Sequence, residues 1–321
     1  MKIRNRLLVP LCLALLSSNV AWAQAWPAKS IQMIVPQGAG GSTDALARLL
    51  AQALGDSLGQ TVIVDNRAGA GGTLGVTAAA KAPADGYTIL LGSSTTVAAN
   101  TFLYAGFSVD PLKDLVPLAL AADAPFAMVV PTSSPFKTLK DLVAAAQAAP
   151  GKLNYGSGTS SALLCTELFK AAAGVDLLKV PYKASPQALT DLIGGQLQVV
   201  CEPLSTSLPL LRTGRLRALA QTGATRSALA PEFPTLAEAG IPGVEYSAWI
   251  GLFAPANVPG EILARLRGAL AKIVNEPAIA EKTRGIGFDP RPGGHAMLAE
   301  LHRAELAKVG RIVKAAGIKA E

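Results

Sequence analysis

The stretch Ile31-Gln32-Met33-Ile34-Val35-Pro36-Gln37-Gly38-Ala39-Gly40-Gly41-Ser42-Thr43-Asp44 decides the fold. It begins as a short apolar run closed by Pro36, passes through a glycine-rich turn and enters a helical pattern. Leu46, Leu49, Leu50, Ala53 and Leu54 recur at the spacing of one helix face. Ser42 or Thr43 can cap that helix, and Asp44 suits its first turn. Thr61–Val64 follows as a β-branched strand. The Gly69-Ala70-Gly71-Gly72 turn leads to a second helix near 73–81. Tyr87–Leu91 is a further strand, closed by Gly92-Ser93-Ser94-Thr95. Strands alternating with helices predict an α/β unit whose mostly parallel sheet is flanked by helices.

The rhythm restarts downstream. Ala127–Val130 reads as a strand, and Thr138 opens a helix to about Ala148. Leu153–Tyr155 is a strand followed by Gly156-Ser157-Gly158-Thr159-Ser160-Ser161 and a helix to about Ala173. Strands at Leu178–Pro181, Leu197–Cys201 and Leu216–Ala220 alternate with helices at Ser185–Ile193 and Leu204–Leu211. The tail carries a strand near Ala248–Phe253 and helices over roughly 259–274 and 294–315. Two α/β units without a flexible polar linker predict two lobes with a ligand cleft between them. In open parallel sheets ligands sit beyond the carboxyl ends of the strands.

Three strand-to-helix junctions are rich in Gly, Ser and Thr: 38–44, 92–96 and 156–161. Each leaves unpaired backbone N–H groups at a helix start, where the helix dipole favours an anion. Converging on one cleft, they would hold a carboxylate or phosphate without Arg or Lys.

Composition supports a packed, exported chain. Of 321 residues, 50% are apolar and 16% charged, so a large core is available and disorder is excluded as the main state. Residues 1–23 have the layout of a signal peptide: Lys2, Arg4 and Arg6, an apolar stretch from Leu7 to Leu16, and Ala21-Trp22-Ala23 before the cleavage point. That stretch is shorter than the ~20 residues of a membrane span. Cys12 lies too early for a lipid-attachment box. Removing the segment takes three basic residues from the net charge of +7. The remaining Lys and Arg are scattered, which argues against nucleic acid and mildly favours anionic solutes.

Other chemistries find little support. The Gly38–Thr43 and Gly69–Leu74 turns lack the last glycine of a dinucleotide fingerprint. Neither a phosphate-binding GxxxxGK[ST] nor a GxSxG motif is present. A serine hydrolase needs a histidine base, and only His295 and His302 exist, seven apart on a helix read as solvated. No Cys, His and carboxylate cluster has zinc spacing. No cofactor is expected. Cys165 and Cys201 either pair or remain two buried thiols. Trp249 is inter-lobe core rather than a lid, and Tyr182-Lys183 is a solvated pair or a cleft wall.

Four groups of segments together resemble the Bug family of periplasmic solute-binding proteins, the receptors of tripartite tricarboxylate transporters. They are Trp26-Pro27 through Pro36 with Gly40–Asp44 and Arg48; Val64–Gly72 with Ala84–Thr88; Tyr155–Ser161 with Glu167-Leu168-Phe169 and Val180–Lys183; and Gly214–Ala220 with Phe233-Pro234-Thr235, Glu238-Ala239-Gly240 and Gly251–Pro255. The resemblance implies a two-lobed periplasmic-binding-protein fold that closes by a hinge. Lobe 1 would be 24–122 plus 248–321, and lobe 2 would be 123–247. The ligand pocket would draw on Gly40, Gly41, Thr43, Asp44, Ser93, Ser94, Ser157, Thr159, Ser160 and Ser161. Three positions depart from the family pattern: Ala162 replaces a frequent His, Gln37 a frequent Phe, and Cys201-Glu202 a frequent Phe-Asp. Glu202 is one methylene longer than Asp and is expected to reach into the pocket.

The implied activity is non-enzymatic: a monomeric receptor captures a small organic anion, a mono- or dicarboxylate, and delivers it to membrane transporter subunits. The alternative is a periplasmic sensor feeding a signalling partner. Asp44 and Glu202 would meet a donor on the ligand, since acids near a carboxylate repel it.

Overall fold

A computed structural model describes residues 26–182, 184–315 and 317–318. The expected signal peptide and Lys183 lie outside the described residues. Ten strands form one continuous sheet in the order β2-β1-β3-β9-β4-β7-β5-β6, with β8 and β10 also paired to β4. In chain order these are β1 (Ile31–Val35), β2 (Val62–Asn66), β3 (Thr88–Ser93), β4 (Leu115–Pro131), β5 (Asn154–Ser157), β6 (Leu178–Pro181), β7 (Val199–Pro203), β8 (Leu216–Gln221), β9 (Ser247–Pro255) and β10 (Asp289–Gly294). The longer helices are α1 (Ser42–Leu58), α2 (Thr73–Ala80), α3 (Leu139–Ala148), α4 (Ser160–Ala173), α5 (Ser185–Ile193), α6 (Leu204–Arg212), α7 (Gly260–Val274), α8 (Pro277–Ile286) and α9 (His295–Ala315).

Parallel pairing dominates each outer half. β1 lies parallel to β2 and β3, and β5 lies parallel to β6 and β7. Helices join these strands, as right-handed crossovers between parallel strands require. The two halves meet on β4. Its first part pairs antiparallel with β9 and β10. Its second part pairs antiparallel with β7 and β8. One 17-residue strand therefore belongs to both lobes.

The expected four-residue strand at Ala127–Val130 is only the end of this element. Pro117, Pro125 and Pro131 and the Ala-rich run between them read poorly as strand. The register shifts between Pro117 and Ala119 and again between Leu120 and Ala122, so bulges absorb the irregularity.

The core follows the periodicities. Leu46, Leu50 and Leu54 of α1 pack with Ile31, Met33 and Val35 of β1. In the second half Ala188, Leu189 and Leu192 of α5 pack with Val200 of β7 and Ala127 and Val129 of β4. Cys165 on α4 and Cys201 on β7 form a disulfide, with Cα atoms 6.2 Å apart, which closes the alternative left open above.

His302 departs from the solvated reading. It is buried, its Nε2 lies 2.9 Å from the Val97 carbonyl, and its ring stands edge-on to Trp249 and Phe253. Burial pushes its pKa below the usual histidine range. The long α9 packs onto β4 and onto the turn after β3, so one of its faces is interior. Trp249 is buried beside His302 in a cluster with Ile34, Leu90, Phe253 and Leu298, so it is core as expected but lies within one half of the molecule and not between the two.

Candidate ligand cleft

A cleft of about 1080 Å³ opens where the carboxyl ends of β1, β3, β5 and β7 face one another. All three glycine- and hydroxyl-rich junctions reach it. Gly41, Thr43, Ser93, Ser157, Thr159, Ser160 and Ser161 of the expected set line it. So do Ser42, Thr95, Thr96, Ser185, Ser205 and Thr206. Apolar surface comes from Leu103, Tyr104, Phe126, Leu163, Ile250 and Phe288. Among the described residues, the one charged side chain in the lining is Lys179.

The start of α4 carries a neutral cap and has no acid beside it in the cleft wall. Thr159 is its N-cap, and its hydroxyl accepts from the Ala162 N–H at 3.1 Å. The first N–H groups of a helix have no partner within it. Those of Ser160 and Ser161, both in the cleft lining, meet no carboxylate among the described residues. Gly158 makes the approach: a Cβ there would sit 2.5 Å from the Ala184 carbonyl carbon and 2.6 Å from the Ser185 nitrogen. Only glycine lets the α4 and α5 starts pack so closely.

The start of α1 is different. Its N-cap is Gly41, with no side-chain cap. Asp44 folds back over it. The Gly40 N–H donates to Asp44 Oδ2 at 2.9 Å, and Arg48 Nε donates to the same oxygen at 3.0 Å. Burial opposes ionisation, but these donors hold the Asp44 carboxyl below its usual range.

Four expected site residues do not reach the cleft wall. Gly40 belongs to the turn that Asp44 ties down, and Asp44 is itself buried. Ser94 is buried at the head of the π-helical turn Thr95–Ala99. Glu202 is fully buried at the end of β7. Its carboxyl accepts from Ser185 Oγ at 2.7 Å and does not line the cleft. Burial pushes its pKa up to about 7. The extra methylene of Glu is spent inside the lobe.

Hydroxyls link the two walls. Thr95 Oγ1 and Ser161 Oγ lie 2.7 Å apart, and Ser42 Oγ lies 3.4 Å from Ser205 Oγ. Ser205 and Thr206 were not anticipated, although Glu202-Pro203-Leu204-Ser205-Thr206 is another strand-to-helix junction rich in hydroxyls. The same signal would have found them. Tyr104 and Phe288 had no local signal, because their neighbours in the cleft are distant in sequence. Among the described residues no group of three His, Cys, Asp or Glu side chains could hold a metal.

An α/β frame of two lobes, with helix starts meeting across a hydroxyl-lined cleft at the carboxyl ends of the strands, is an architecture suited to holding a small anion. Residues 46–318 match the model of the tripartite tricarboxylate transporter family receptor, and the chain belongs to that family. It is 40% identical over 271 residues to the protein BugT of Bordetella pertussis, covering 84% of this chain and 83% of BugT. Among solved structures it is similar to a Rhodopseudomonas palustris protein with adipate. That match has a TM-score of 0.84 at 36% identity and covers 92% of this chain and all of the other. MatC of Rhodopseudomonas palustris with bound malate matches with a TM-score of 0.79 at 30% identity, over 90% of this chain and 100% of MatC.

Proposed function

We propose that the protein is a periplasmic receptor for a small organic carboxylate, which it carries to the membrane subunits of a tripartite transporter without chemical change. The observation that supports this reading is the start of α4, capped by the neutral Thr159, with Ser160 and Ser161 in the wall of a cleft almost free of charged side chains. The ligand carboxylate takes the unpaired N–H groups there, and hydroxyls of Ser157, Thr159 and Ser161 surround it. Gly41, Thr43 and Ser93 contact the ligand from the opposite wall. The apolar flank of Phe126, Leu163 and Ile250 covers its carbon chain. The solved relatives with adipate and malate support a carboxylate.

In this reading residues 1–23 direct export, and the mature chain works as a monomer. The lobes divide at 122/123 and 247/248, and β4 and β9 run through those points. The lobes close on the ligand, and the closed form meets the transporter.

A thermal-shift screen of the mature protein, refolded to strip carried-over ligand, tests the reading against carboxylates and their amides. A ligand at 100 times its dissociation constant adds about 2.7 kcal/mol of stability. Stabilisation by carboxylates and not by the matched amides is expected. Stabilisation by the amides alone would overturn the carboxylate assignment.

A further inference from the structure

Glu202 and Ser185 form a pair that the binding of a carboxylate at α4 leaves unused. Glu202 is fully buried, and its Oε2 has no hydrogen-bond partner among the described residues. Its Oε1 accepts the Ser185 hydroxyl at 2.7 Å. Of the two residues only Ser185 lines the cleft. The backbone of both is held: Gly158 packs against the Ser185 nitrogen, and Cys201, next to Glu202, is bonded to α4. The hydroxyl therefore has a fixed place in the wall.

A carboxylate only accepts hydrogen bonds, and a serine hydroxyl has one proton to give. While Glu202 is ionised, that proton is committed to Oε1. Toward the cleft Ser185 then offers lone pairs alone. A ligand alcohol or amine can donate to them. A second ligand carboxylate cannot, and it would bring a like charge toward a buried acid.

We infer that the Ser185–Glu202 pair is a specificity element, which selects carboxylates that turn a hydrogen-bond donor toward Ser185 over dicarboxylates that would turn their second carboxylate there. The inference rests on the carboxylate reading above. Ser185 touches the ligand, and Glu202 is a positioning residue that acts through it.

Isothermal titration of the mature chain with adipate and with 6-hydroxyhexanoate, at pH 8.5, tests the pair. These acids differ only at the far end. The wild type is expected to prefer 6-hydroxyhexanoate by roughly tenfold or more, because a site built for a donor leaves its acceptor unpaired otherwise. Glu202→Gln is isosteric, removes the charge and supplies an amide that can donate to Ser185 Oγ, which lets the hydroxyl turn its proton to the cleft, so it should cut that preference about tenfold. Ser185→Ala should cut it similarly, and Ser185→Thr should restore it. Thermal melts of each variant confirm folding. A wild-type preference for adipate, or a preference unmoved in both Ser185→Ala and Glu202→Gln, overturns the inference alone. Failure of both acids to bind the wild type overturns the carboxylate reading as well.

Discussion

Helices α1 and α4 both start at the cleft after a strand and a glycine-bearing turn, yet their starts are occupied differently. At α1 the chain supplies its own carboxylate: Asp44 takes the Gly40 N–H and pairs with Arg48. At α4 the cap is a neutral Thr159, and no acid stands nearby in the cleft wall. The same motif on paper thus gives one helix start already neutralised and one left open. Charge, rather than the count of glycines and hydroxyls, separates the end that can take an anion from the end that cannot.

The largest expected effect sharpens the contrast in rigidity. The disulfide staples α4 to β7, and α1 has no such staple. Cys165→Ala with Cys201→Ala, or reduction, should cost ~3–4 kcal/mol for a loop of sequence separation 36. Denaturant melts with and without reductant measure it, and a loss under about 1 kcal/mol would mean that α4 is held by packing alone.

Next comes the pH response of the two buried acids, which run in opposite directions. The folded Glu202 pKa is raised, from 4.5 to about 7. Its contribution to stability is full below pH 4.5 and is lost as pH rises toward 7, up to about 3 kcal/mol. Asp44 has a folded pKa below its usual 3.8, so its contribution is present above that value and lost in stronger acid. Stability curves of wild type and Glu202→Gln should therefore converge below pH 4.5, with the variant flatter between 4.5 and 7. Parallel curves would show that Glu202 finds a counter-charge.

Ser161→Asp tests the open helix start directly. An acid in the first turn of α4 favours the helix by about 0.3–1 kcal/mol but occupies the anion position. Carboxylate affinity should fall about 100-fold, with the melting temperature unchanged or raised. Retained affinity in titration would move the anion away from α4. The smallest effect is expected at the other helix: Asp44→Asn should lose about 1 kcal/mol of stability with carboxylate affinity equal or better.

Much of the fold was legible in the sequence, because α1, β1 and the β5–α4 junction carry local patterns that their burial repeats. The losses have physical causes. β4 reads as a fragment since three prolines and an Ala run hide a strand that bulges accommodate. β10 is Asp289-Pro290-Arg291-Pro292-Gly293-Gly294, a composition of turns, and it pairs only because β4 offers a long edge. His302 looks solvated along α9 because nothing local marks the face that meets Trp249. At the cleft, glycine and hydroxyl junctions located seven of the eleven expected residues in the lining. Glu202 and Asp44 were misplaced because sequence shows a carboxylate but not which way its oxygens are already engaged. Ser185 was missed because its hydrogen-bond partner, Glu202, is seventeen positions away.

A cleft walled by dipoles and hydroxyls also has consequences for time. Dipole fields fade faster with distance than those of ions, so such a wall has little reach into the surrounding water. Long-range attraction is left to the diffuse surface excess of Lys and Arg. Encounter is then unsteered by the cleft itself, and arrival rates should vary little among anions of similar size. Discrimination falls to residence: the ligands that fit are those that leave slowly.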